Sequence, residues 1–141
     1  MFNVLKKRIK NEKGLSLVEL LAVIVILGII AAIAIPAIGN IIANSEAKAE
    51  ISDAVQILNA GKLYELDGNE IGNGGVTDLG NYVDVSSRIE SYTVTKDNGE
   101  YKIIFKGDRV NLTTPKTLTE LSDYTVSGGV VNWGGTTTTT P

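Results

Sequence analysis

LLAVIVILGIIAAIAIPAIGNIIANS, residues Leu20 to Ser45, is the stretch whose reading decides the fold. It holds 26 consecutive residues without a charge. As a helix it would extend about 39 Å, more than the roughly 30 Å hydrocarbon core of a bilayer. A removable secretory signal has a shorter apolar core, about 7–15 residues, followed by a small-residue cleavage site. Here the small residues Ala31, Ala32 and Ala34 sit inside the run, with apolar sequence on both sides. The segment therefore predicts a membrane-spanning helix that is retained.

The flanks give it a direction. Residues 1–14 carry Lys6, Lys7, Arg8, Lys10 and Lys13 against Glu12, a side-chain balance of +4. The rest of the 141-residue chain holds 8 basic and 15 acidic side chains, a balance of −7. A basic start holds its end in the cytoplasm and sends the body across. An acidic body repels phosphates, so nucleic acid is not expected as a direct partner. No cysteine or histidine is present. That excludes disulfides, thiolate metal sites and the commonest general base, and makes an enzyme a poor reading. No catalytic, cofactor or metal residue is assigned.

Two residues complicate a plain anchor. Glu19 stands at the entrance to the apolar block, where a carboxylate in lipid costs up to about 2.5–3.5 kcal/mol. Pro36 interrupts the helix, removing one backbone donor.

Lys13-Gly14-Leu15-Ser16-Leu17-Val18-Glu19-Leu20-Leu21, with the Ile/Val/Ala run containing Gly28 and Pro36, closely resembles the class III signal of type IV prepilins. The resemblance spans roughly residues 6–45. It implies a leader at 1–14, cleavage by prepilin peptidase between Gly14 and Leu15, and N-methylation of Leu15. Leu15 departs from the Phe with which many family members begin. Glu19 resembles the glutamate that pairs with the terminal amine of a neighbouring subunit. Gly28 and Pro36 would bracket a stretch of helix able to lose its hydrogen bonds, against the plainer expectation of a single proline kink. The implied partners are further copies in a homo-oligomeric helical filament, prepilin peptidase, the pilus assembly machinery with minor pilins, and the membrane before assembly. The implied route is a single-pass precursor in the cytoplasmic membrane, then the pilus at the cell surface. The missing cysteines, Lys-rich leader and Ile-rich helix lean toward a Gram-positive source.

Alternatives of other kinds are a type II secretion pseudopilin, a competence-type pilin, and a membrane-anchored binding domain that does not assemble. A pseudopilin's calcium site takes about six to eight oxygens, and the last 20 residues offer only Asp123 as an acid. A competence-type pilin is usually shorter, and Gly14 with Glu19 argues against the non-assembling anchor.

Beyond the run, the polymerisation helix of 15–45 should continue into a globular head at 46–135. Ile51, Ala54, Val55 and Leu58 fall on one face at helical spacing, with Glu50 and Asp53 expected away from it in solvent. The helix should end near Asp67, before Gly68 and Asn69. Gly68–Gly80 reads as a loop; its Gly-x-Gly spacing lacks the strand and helix of a phosphate loop. Ser91–Lys96 and Glu100–Lys106 alternate around Asp97-Asn98-Gly99, a hairpin signature. Tyr101, Ile103 and Phe105 should face the helix, and Lys102 and Lys106 the water. Tyr124–Val126 and Val130–Trp133 form a second pair around Ser127-Gly128-Gly129, and Thr117–Leu121 one helical turn. Asn111-Leu112-Thr113 fits a glycosylation acceptor pattern, but such triplets arise by chance and it carries little weight. The Thr-rich tail, 136–141, should be mobile and could carry O-linked sugar. The expected class is α+β: a long helix, half transmembrane and half amphipathic, packed on a small antiparallel sheet of three to four strands.

Overall fold

The computed structural model describes the backbone of residues 2–134 and the side chains of residues 16–134. One helix, α1 (Phe2–Leu66), is followed by β1 (Ile89–Asp97), β2 (Glu100–Gly107), β3 (Asn111–Thr117), the short α2 (Leu118–Ser122), β4 (Tyr124–Ser127) and β5 (Val130–Trp133). The chain divides into Met1–Gly39 and Asn40–Pro141, and α1 runs through both. The class is α+β, as the patterning implies. The Thr-rich tail lies outside the described residues.

In the first unit the helix is continuous through Pro36. Proline costs about 3 kcal/mol of helix propensity, yet the helix runs on through it. From Ser16 to Ile42 all side chains are exposed except Ala31 and Ala34, which are half-covered.

In the second unit the helix changes character. Ala47, Glu50, Ala54, Ile57 and Gly61 repeat every three or four residues and are buried, with Ile51 and Leu58 beside them. Val55 sits at the rim of this stripe rather than within it. Opposite lie Val94 from β1, Ile103 and Phe105 from β2, and Leu112 from β3, closed by Leu79, Ile89, Val110 and Leu121. Alternation along β2 places Ile103 and Phe105 inward as expected, while Tyr101 is half-buried and Lys106 exposed. Gly61 belongs where β1 crosses: a Cβ there would stand 2.7 Å from Val94 Cγ1. A residue that weakens the helix in sequence terms is the one that lets the strand approach.

The strands form two sheets, β1-β2-β3 and β4-β5, rather than one. β1 and β2 pair around the two-residue turn Asn98-Gly99, both at positive φ. This is the reversed turn that matches strand twist. β3, which contains Pro115, is not among the strands that the patterning assigns. The strand lies at the sheet edge, where an absent N–H breaks no ladder, and its pairing with β2 skips between Phe105↔Leu112 and Ile103↔Lys116. The short helix begins one residue later than its first expected residue. Thr117 caps it, accepting from Glu120 N–H, while the Glu120 carboxylate accepts from Thr117 N–H, the reciprocal box. That backbone bond holds the Glu120 carboxyl below the usual carboxylate range.

Candidate functional site

The sequence singles out Gly14, Leu15, Glu19, Gly28 and Pro36. Gly14 and Leu15 fall within the α1 backbone, but their side chains lie outside the described residues. Glu19, Gly28 and Pro36 are exposed along the apolar half of α1. No heavy atom comes within 4 Å of where a Cβ on Gly28 would stand. The helix's distinguishing property is a continuous apolar surface, about 40 Å long at 1.5 Å per residue, carrying one carboxylate at its start.

That surface has no use in water. A contiguous apolar face far larger than the few hundred Å² usual on a soluble monomer marks a membrane or a partner. Glu19 inside it is a charge without a described counterion. In the chain as it stands, Leu15 contributes an ordinary peptide N–H to α1. A cut after Gly14 would turn the same nitrogen into an ammonium, one helical turn from Glu19.

The second constellation was missed by the sequence reading, and corrects it. Glu50 is not solvated: it is fully buried on the core stripe. Its carboxylate accepts from Arg109 N–H at 2.9 Å and from Val110 N–H at 2.7 Å. Those bonds supply what burial removes, since a carboxylate without partners is expelled from an apolar site. Gly107 is required beside it, because a Cβ there would collide with the Glu50 carboxyl. One turn earlier, Glu46 receives Arg109 Nε–H at 2.8 Å. Asp53 is largely covered and pairs with Arg88 at 3.2 Å. The signal was available: Glu50 falls in the row Ala47, Glu50, Ala54, Ile57, Gly61, although the stripe drawn through Ile51, Ala54, Val55 and Leu58 set it apart in solvent.

At the far end of the helix, Glu65 accepts from Lys96 Nζ at 2.7 Å and from the Tyr101 hydroxyl. The Lys96 and Tyr101 bonds hold the Glu65 carboxyl below its ordinary range. The same contact with Glu65 raises Lys96 and Tyr101. These groups are partly exposed, and their role is to pin the hairpin to the helix. No three acidic side chains among the described residues converge as a metal site would need.

Residues 9–35 match the family described as the prokaryotic N-terminal methylation motif. Two type IV major fimbrial proteins FimA of Dichelobacter nodosus are each 44% identical to this chain, over 61 and 59 residues. The matches cover 43% and 42% of this chain and 39% and 38% of those proteins. A third FimA of the same organism is 42% identical over 59 residues. The chain thus spans about two-fifths of the length of the curated relatives it matches. No solved structure matches. The chain thus carries the prokaryotic N-terminal methylation motif on its apolar helix and is similar, over about two-fifths of its length, to type IV major fimbrial proteins.

Proposed function

We propose that this protein is the major structural subunit of a type IV pilus, inserted in the cytoplasmic membrane as a single-pass precursor, cut by prepilin peptidase after Gly14, and polymerised through the apolar half of α1. It acts by assembling rather than by catalysis. The observation that carries the reading is the exposed apolar face from Ser16 to Ile42 with Glu19 at its start. In the membrane, lipid covers that face. In a filament, the same face of neighbouring copies would cover it.

The exchange of partner needs a trigger, and charge supplies one. At about 4 Å an ion pair is worth about 4 kcal/mol where the effective dielectric constant is about 20. That is comparable with the roughly 2.5–3.5 kcal/mol cost of a carboxylate in a membrane helix. Glu19 paired with the Leu15 ammonium of another copy therefore roughly offsets its own burial; Glu19 unpaired does not. Since the ammonium exists only after cleavage, the uncut chain is left in the membrane and the cut chain can dock. N-methylation of Leu15 would preserve the charge. Gly28 and Pro36 would be where the packed helix gives way under tension. Minor pilins and the assembly machinery complete the set of partners, and adhesion, motility or DNA uptake would be the use to which the filament is put.

Mass spectrometry of the sheared surface filament tests this directly. The subunit should begin at Leu15, and Gly14→Val should leave the precursor uncut in the membrane fraction. A filament subunit that retains Lys13 would overturn the reading.

A further inference from the structure

Beyond Ile42, the exposed large apolar side chains among the described residues are Leu63, Leu66 and Val130. Val130 differs from the other two in where it stands. It follows the turn Gly128-Gly129 of the β4–β5 hairpin, and that turn is fastened to α1. Gly129 N–H donates to Asn44 Oδ1 at 2.7 Å. A Cβ on Gly129 would come within 3.0 Å of Ala43 Cβ, so the tip lies directly on the helix.

Ala43 and Asn44 are next to the end of the uncharged run that closes at Ser45. The run exceeds a bilayer core by about 9 Å, the difference between its roughly 39 Å and the roughly 30 Å core. A span beginning just after Glu19 leaves the hydrocarbon after about 20 residues, near Gly39. Ala43 and Asn44 then stand among the headgroups, and the hairpin tip bonded to them stands there too. The first charges beyond fit that level. Glu46 is occupied by Arg109, and Lys48 is exposed and makes no ion pair among the described residues. An ammonium at this depth meets lipid phosphate.

We propose that the β4–β5 tip, Gly128 to Val130, is a lipid-contacting surface. In the inserted chain Val130, 62% exposed, rests at the boundary between headgroups and acyl chains of the leaflet facing the head. The inference rests on the reading of α1 as a membrane span. Its consequence is orientation: a single helix leaves the head free to rotate about it, whereas helix and tip together hold one side of the head down.

The chain has no cysteine, so single labels are clean. Full-length V130C, N132C, E100C and I30C, each carrying an environment-sensitive fluorophore, would be reconstituted in phosphatidylcholine–phosphatidylglycerol vesicles and quenched by aqueous iodide. Circular dichroism checks that each keeps its helix and sheet; all four positions are exposed, so the labels fit. Glu100 sits at the other hairpin, whose Lys96 and Tyr101 reach Glu65, about 30 Å along the helix from Asn44. The V130C label should be quenched severalfold less than E100C, with N132C between them and I30C the most protected. Equal quenching of V130C and E100C, with I30C protected, overturns the tip contact alone. Quenching of I30C as strong as that of E100C overturns the membrane reading itself.

Discussion

One helix carries two surfaces that obey different rules. From Ser16 to Ile42 its apolar side chains, Ala31 and Ala34 apart, are exposed among the described residues. From Ala47 to Gly61 its apolar stripe is buried against β1, β2 and β3, and even a carboxylate is drawn in. The first surface is apolar all round, as a helix solvated by lipid or by other helices must be. The second is apolar on one side, as a helix with a resident partner must be. Hydrophobicity alone does not say which half is structural; the availability of a partner within the chain does.

Paired substitutions should separate the halves. Ile103→Ala removes a fully buried side chain from the head and should cost about 2–5 kcal/mol, read as a lower melting temperature. Ile30→Ala removes a comparable volume from the exposed half and should leave the head's melting unchanged. Similar shifts from both would mean that the apolar half stabilises the head, and the division would fail. A fragment beginning at Asn44 should likewise remain folded and monomeric by size exclusion.

Next in size is the buried carboxylate. Glu50→Ala strands the N–H groups of Arg109 and Val110 and should cost about 3 kcal/mol, since each buried donor left unpaired costs about 1–3. Glu46→Gln, whose ion pair is half-exposed, should cost under about 1 kcal/mol in chemical denaturation. Gly61→Ala should fall between them, about 1–3 kcal/mol, because Val94 must move to admit the methyl. A stabilised Gly61→Ala head would show that helix propensity outweighs the close approach of β1.

The smallest effect is set by pH. Glu65 titrates below its unfolded value, because the native state favours its ionised form. Its contribution is therefore complete above the ordinary carboxylate range and is lost as pH falls through the lowered folded pKa. Lys96 and Tyr101, raised by the same contact, lose theirs as pH rises through the alkaline range. Glu65→Gln should flatten the acid limb of melting temperature against pH by a small amount. An unchanged acid limb would show that this surface bond contributes nothing measurable.

Much of this was legible in the residues, and the exceptions have physical causes. The long apolar run, the Asn98-Gly99 hairpin and the inward Ile103 and Phe105 follow from composition, turn chemistry and alternation. Glu50 does not, because burial of a carboxylate depends on two amides 59 and 60 residues away. β3 does not, because an edge strand tolerates Pro115 where a central one would not. The second sheet was seen as a strand pair but not as separate, since register between hairpins leaves no local mark. Of the candidate site, Gly14, Leu15 and Glu19 were read from spacing, while the counterparts proposed for them would belong to other copies.

The central claim is that the first surface is for assembly and that Glu19 governs it. Glu19→Gln keeps size and removes charge, so the variant should enter the membrane at least as well as the parent. Its leader should still be cut, because Gly14 and the basic segment are intact. Immunoblots would compare mature subunit in the membrane fraction with subunit in sheared filaments. The account predicts abundant mature subunit in the membrane and little or none in filaments, since a buried Leu15 ammonium would lack its partner. Normal filament yield from Glu19→Gln would contradict it, leaving Glu19 an ordinary residue at the membrane boundary.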